Sequence, residues 1–343
     1  MNKTSKLSLT ICAVLLSSLS GMAQDTEQSR VGTAPAKVDS LSIQRENMKM
    51  QAALRYPTLR MAMLQTESGG SVHYTSKLHG NDFVEGNIRP KNIVSGFFNL
   101  PVYSSRKQEI SVALRYYRLE TVLGNTTNKI PQSPVSDGSY TLQTLALALN
   151  YKRTDSLFGR PIIWGGSLIA HSSLQSGINK ISGLAYGIFP LKTTRMTRIA
   201  AGLVVIADPT SNIPVLPTFS YWHKFGRSPW EVSIDIPTGA LLRRNVFSKG
   251  LLSLGTELSS NTLFRNIDQP LLPGKAQFRE LNLKSGVTLE YPIARKMLIG
   301  CSGGILSTMQ YRVLEPYRSL KDYDVAIKRN PGPYLNISIS FLR

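Results

Sequence analysis

Cysteine is nearly absent from this chain, with two in 343 residues, Cys12 and Cys301. Cys12 lies in an N-terminal segment that reads as a cleaved leader. The mature chain then keeps a single thiol, which excludes an intramolecular disulfide. Histidine is almost as scarce: the four are His73, His79, His171 and His223. They are scattered, with no H-E-x-x-H spacing and no cysteine pairing, so the residues offer no metal site. No G-x-S-x-G elbow is present. After the leader no apolar run reaches about 18 residues, which excludes helical membrane spans. Charge is also sparse, at 18% of residues against 42% hydrophobic. Soluble domains carry about a quarter charged residues, so this deficit fits a chain whose outward positions face lipid. Acidic residues are the scarcer sign, 21 against 40 Lys and Arg, for a formal charge of +19, or +17 once Lys3 and Lys6 leave with the leader.

The leader has a basic start at Lys3 and Lys6, an uncharged apolar run from Leu7 to Leu19, and a small-x-small site at Gly21-Met22-Ala23. That is secretory signal chemistry, with residues 1–23 removed. The alternative, an N-terminal anchor, has too short an apolar run to span a bilayer. No lipoprotein processing site follows Cys12, and lipidation is not expected. Residues 24–56 read as a periplasmic linker. Gln24 to Asp39 is polar with Pro35, and Asp39-Ser40 could cap a short helix running to about Leu54. The extension either frays or docks as a plug.

Residues 57–343 are a single domain of alternating segments, with no internal repeat. In the last ten residues Leu335, Ile337, Ile339 and Phe341 share one strand face, and Asn336, Ser338 and Ser340 share the other. Leu281, Leu283, Val287, Leu289 and Tyr291 oppose Asn282, Lys284, Thr288 and Glu290 in the same way. So do Ile110, Val112 and Leu114 against Ser111, Ala113 and Arg115, and Trp230, Val232 and Ile234 against Glu231, Ser233 and Asp235. Such segments often finish on an aromatic, as an apolar belt rimmed by aromatics requires. Short turn clusters, such as Ser104 to Lys107 and Pro292 to Lys296, alternate with long polar excursions, such as Leu123 to Ser139 and Glu315 to Pro333. The pattern predicts an all-β, antiparallel transmembrane barrel of about 12 strands, with 10 to 14 tolerable given how strand boundaries blur.

The terminal Tyr-Leu-Asn-Ile-Ser-Ile-Ser-Phe strand, the leader ending Met-Ala-Gln and the polar lead-in resemble the uncharacterised outer-membrane β-barrels of Bacteroidetes-type Gram-negative bacteria. The resemblance implies an outer-membrane location and recognition of the last strand by the barrel assembly machinery. In that class the strand usually ends on the aromatic, whereas here Leu342 and Arg343 follow Phe341. The resemblance brings no catalytic residues and no cofactor.

Three roles compete for the excess positive charge. Loop and rim cations can pair with lipopolysaccharide phosphates, a basic lumen can select anions, and nucleic acid is disfavoured because no binding motif is present. Candidate lumen-lining residues are Arg115, Glu231, Asp235, Glu257, Lys284 and Glu290. Mixed signs inside a modest barrel cross-link the interior more often than they line an open pore. Strand glycines such as Gly286 and Gly304 point to close backbone approach. The chemistry-bearing alternative is His171-Ser172-Ser173, similar to the His-x-Ser triplet of outer-membrane lipid A deacylases. It lacks an orienting acid in the sequence and also reads as a polar strand end. The expectation is therefore a passive barrel, structural or a small pore for small polar or anionic solutes. The alternatives are a lipid or lipopolysaccharide enzyme and an accessory in secretion or surface assembly.

Overall fold

The computed structural model describes residues 46–131, 135–173, 177–211, 213–247, 249–267 and 271–342. The expected leader, and the expected linker as far as residue 45, lie outside them. A helix, α1, covers residues 46–55, and a short turn of 3₁₀ helix, Pro57–Leu59, leads into the sheet.

The strands are β1 (Arg60–Gly69), β2 (Val72–Leu78), β3 (Asn81–Ser104), β4 (Gln108–Asn128), β5 (Gly138–Leu157), β6 (Arg160–Ser173), β7 (Gly177–Thr193) and β8 (Thr197–Ala207). They continue as β9 (Val215–Lys224), β10 (Trp230–Ile236), β11 (Gly239–Val246), β12 (Gly250–Asn266), β13 (Lys275–Ala294), β14 (Met297–Leu314), β15 (Val325–Arg329) and β16 (Gly332–Leu342). All pair antiparallel, and β1 bonds to both β16 and β3, which closes the sheet. The wall is a closed barrel of 14 strands. β2 extends the path of β1 along β3, and β15 extends that of β16 along β14. Each path breaks once, at Gly70-Ser71 and at Asn330-Pro331, and backbone bonds from Gly70 to Pro333 and from Asn330 to His73 carry the pairing across the break.

The strand count exceeds the expected 12 and falls within the expected range. β10 and β11 are only 7 and 8 residues long, and β15 lies inside the stretch 315–333 that reads as a polar excursion. The side-chain faces follow the alternation. Leu335 is 56% exposed on the outer face, while Ser340 on the inner face is 1% exposed. The outer belt carries Leu64, Leu114, Leu147, Leu168, Leu203 and Leu254, all exposed. A closed sheet satisfies the backbone groups of its wall within itself, and its apolar outside is what a lipid bilayer accommodates.

The wall is not equally tall all round. β5 pairs with β6 only as far as Leu145↔Ser172, so residues 138–144 present a free edge above β6. β12 leans over the shorter strands and reaches that edge, where Phe264 pairs with Gln143. At this level eight strands, β2, β3, β4, β5, β12, β13, β14 and β15, form a narrower upper tier. Eight strands enclose just enough room for side chains to fill. Here Ile93, Leu119, Leu142 and Leu263 fill its lower part, and Tyr74, Phe83, Val84, Ile88, Val313 and Val325 its upper part. The upper tier is thus a roof with a packed core. The glycine contact is also seen: a Cβ on Gly304 would lie 2.1 Å from the Ser285 carbonyl oxygen of β13, so only glycine lets these strands approach so closely.

Candidate functional site

Below the roof lies a cavity of about 1470 Å³, walled by β1 and β3–β7 on one side and roofed by β12 and β13. Inward positions supply small and polar side chains, including Ser95, Ala146, Asn150, Ser167, Thr308 and Ser259, among apolar ones such as Met63, Phe97 and Ile169. Beside this cavity the interior is more apolar, where Leu184, Val204, Ile206 and Leu216 cluster on β7, β8 and β9.

Three tiers of charge cross this interior. At the short-turn end α1 enters the barrel, with Ala53 and Leu54 packed on Leu251, Leu298 and Leu342. The adjoining arginines anchor it. Arg55 Nε lies 2.8 Å from Glu231 on β10, and Arg60 Nη2 lies 2.8 Å from Glu290 on β13. Arg60 also donates to the Ala53 carbonyl and to Ser340 Oγ, so the start of β1 is tied to helix and wall together. Nearby, Arg198 donates to Tyr56 and stacks over Trp222.

In the middle Lys284 donates to Glu67 of β1, which also accepts from Asn336. The Lys284 ammonium sits over the Tyr334 ring at 5.4 Å.

At the roof Arg329 pairs with Glu280, both almost fully buried, with the guanidinium over Tyr311. A second network seals the seam between roof and wall. Lys180 Nζ on β7 lies 2.6 Å from Asp208 Oδ1, and Asp208 accepts from both the amide and the hydroxyl of Thr210. Arg279, on the face of β13 turned toward that seam, donates to the Thr210 carbonyl and hydroxyl. Asp208 lies in the β8–β9 loop. Burial by itself would raise its carboxyl, but the charges of Lys180 and Arg279 outweigh burial and leave it below the ordinary aspartate value.

The six residues singled out in the sequence occupy different settings. Glu231, Lys284 and Glu290 are in the ion pairs above, none of which joins two of the six. Asp235 accepts from Ser220 and Ser233. Glu257 lies opposite Lys284 in the β12–β13 register. Arg115 is half-buried in the cavity wall. The partners that sequence reasoning missed are Arg55, Arg60 and Glu67. Arg55 and Arg60 flank the start of the barrel and gave no strand signal. Glu67 shares its face with Met63 and Gln65, and the β1 alternation would have placed it inward.

The His171 and Ser173 side chains are not joined by a described hydrogen bond. Ser173 Oγ accepts from Asn179 Nδ2 at 3.1 Å, while the His171 ring lies 6.2 Å from that of Phe264 beneath the roof. Among the described residues no group of three His, Cys, Asp or Glu side chains is placed to hold a metal. Cys301 is free and exposed on the outer face.

No family profile matches the chain, and no curated protein matches it. Solved structures that match are outer-membrane barrels. A Pseudomonas aeruginosa FadL homologue is 8% identical, with a TM-score of 0.41 over 84% of this chain and 93% of that one. The Pseudomonas putida toluene transporter TodX is 8% identical, with a TM-score of 0.35 over 82% and 88%. The outer-membrane protease OmpT of Escherichia coli is 9% identical, with a TM-score of 0.26 over 82% and 96%. At this level of likeness the matches carry nothing about cargo or chemistry. The closed wall and its apolar belt are features of this chain itself, and they make it an outer-membrane β-barrel.

Proposed function

We propose that the barrel is passive: a braced structural barrel, or a narrow pore for small polar or anionic solutes, with no covalent chemistry of its own. The observation that carries this is the narrowing of the interior at both ends around a cavity that bears polar side chains. Helix α1 stands at one end, a packed eight-stranded tier at the other, and ion pairs brace the space between. In this reading the short turns and α1 face the periplasm and the long loops face outward. Membership of the Bacteroidetes-type barrel family, recognition of β16 by the assembly machinery and contact with lipopolysaccharide belong to the same proposal. They rest on the terminal strand and the charge.

Planar-bilayer recording tests it. Wild-type barrel should conduct weakly, and Glu290→Gln and Lys284→Gln should alter stability and noise more than unitary conductance. Large, steady conductance in wild type would refute the narrow lumen. A lipid A deacylation assay covers the enzyme reading, and activity lost in both His171→Ala and Ser173→Ala would overturn passivity.

A further inference from the structure

The excess positive charge is not spread evenly. At the end of the barrel where α1 enters, six turns join the strands, and each carries an exposed cation within it or, for β5–β6, directly after it: Arg106, Arg160, Arg195, Arg227, Lys249 and Lys296. No acidic residue lies within any of these turns, and among the described residues none of the six cations forms an ion pair. Just inside these turns Lys152 pairs with Glu109 and Arg153 with Asp155, which leaves the six turn cations themselves unpaired. At the long-loop end the loop cations are themselves neutralised, Lys77 by Asp82, Lys91 by Glu120, Lys129 by Glu85 and Arg318 by Asp324.

Aromatic residues stand among the rim cations. Phe158 is 92% exposed and Phe247 73% exposed, each at the tip of a short turn. Both sit in the left-handed backbone region, at φ 53° and φ 49°. A bulky side chain is strained there, and the β5–β6 turn, Phe158-Gly159, has the geometry that normally takes Asn-Gly. A ring held at a strained tip and left bare to water has no reason in the fold. Beside Arg160 and Lys249 it has one at a membrane interface, where rings sit at headgroup depth and basic side chains reach the phosphates.

From this arrangement we infer that the short-turn rim is a collar for anionic phospholipid headgroups of the leaflet it faces. The cations encircle the barrel, as an annulus of lipid requires. A protein docking on one side would need only an arc. At the long-loop end Tyr317 is also exposed and left-handed, but its hydroxyl accepts from the Ile181 amide, whereas Phe158 and Phe247 have no polar atom to hold and stand beside unpaired cations.

Brominated-lipid quenching tests it, because Trp164 and Trp230 lie close to this rim, four residues after Arg160 and three after Arg227. The full-length barrel is reconstituted in phosphatidylcholine, with brominated phosphatidylglycerol or brominated phosphatidylcholine as quencher. The expected result is a preference for phosphatidylglycerol of about fivefold or more at low salt, fading as salt screens it. Replacing the six rim cations with Gln should bring the preference close to one. Replacing Lys77, Arg89, Lys129, Lys275, Lys321 and Lys328 should leave it in place. Heat-modifiable gel migration confirms that each variant is folded. An unchanged preference in the rim variant, or equal loss in both variants, would overturn the proposal. So would selective competition by inorganic phosphate at matched ionic strength, or a preference seen only with lipopolysaccharide.

Discussion

Arg60, the first residue of β1, reaches Glu290 on β13 at 2.8 Å with its own side chain 2% exposed. The two are 230 residues apart in sequence, and the contact joins helix α1, the barrel seam and the lumen wall in one place. Charge buried this deeply is held by its partner, and removing one side leaves the other poorly solvated.

Arg60→Gln should therefore destabilise the barrel by about 3 kcal/mol. Arg60→Gln with Glu290→Gln should recover much of that loss, because no lone charge remains. Urea titration in detergent, read as the loss of heat-modifiable gel mobility, gives both values. Additive losses in the double variant would mean the pair is not coupled.

The seam between roof and wall predicts a pH response. Asp208 faces Lys180 on β7, Thr210 in its own loop, Arg279 on β13 and His171 on β6. Its folded pKa lies below the ordinary 3.8, so its contribution is fully present above that value and is lost as pH falls through the lower folded value. Conductance should rise reversibly as the bath is taken below pH 3.8. Asp208→Asn should already conduct more at neutral pH and lose most of the acid step. An identical acid step in the variant would assign it to other carboxyl groups.

The roof predicts a cross-link. Phe264 and Gln143 are paired residues on strands that are not neighbours in the lower wall. Cysteines at both positions, with Cys301→Ser to remove the native thiol, should oxidise to a disulfide, since antiparallel partners lie about 4.5–5.5 Å apart at Cα. A band shift on non-reducing gels reports it. A pair that stays reduced under mild oxidant would mean that β12 does not reach β5.

Face assignment is tested on β13. Val287 is 45% exposed on the outer belt, while Thr288 shares the inward face with Lys284. Val287→Arg should cost about 2–4 kcal/mol at mid-bilayer depth, and Thr288→Arg clearly less. Equal costs would place the strand one residue out of register.

Alternation alone was enough to separate the two faces of β16, because successive side chains point to opposite sides of any strand. Leu335, Ile337, Ile339 and Phe341 needed no partner to be placed outside, nor Asn336, Ser338 and Ser340 inside. Turn chemistry likewise separated a short-turn end from a long-loop end, since Gly, Pro and Ser act within a few residues. Hence the barrel class was legible before any contact was known. The brace was not. Glu231, Glu290 and Lys284 were visible as inward residues, yet their partners Arg55, Arg60 and Glu67 lie 176, 230 and 217 residues away. Which inward residues meet is set by strand number, stagger and closure, and those depend on the whole circuit at once. The same holds for Leu281, which reads as an outer-face residue and is buried because β13 leans inward with the roof. Side-chain direction is a local property of the backbone and is written in the sequence. Partner choice is a property of the closed sheet, and only the tertiary structure decides it.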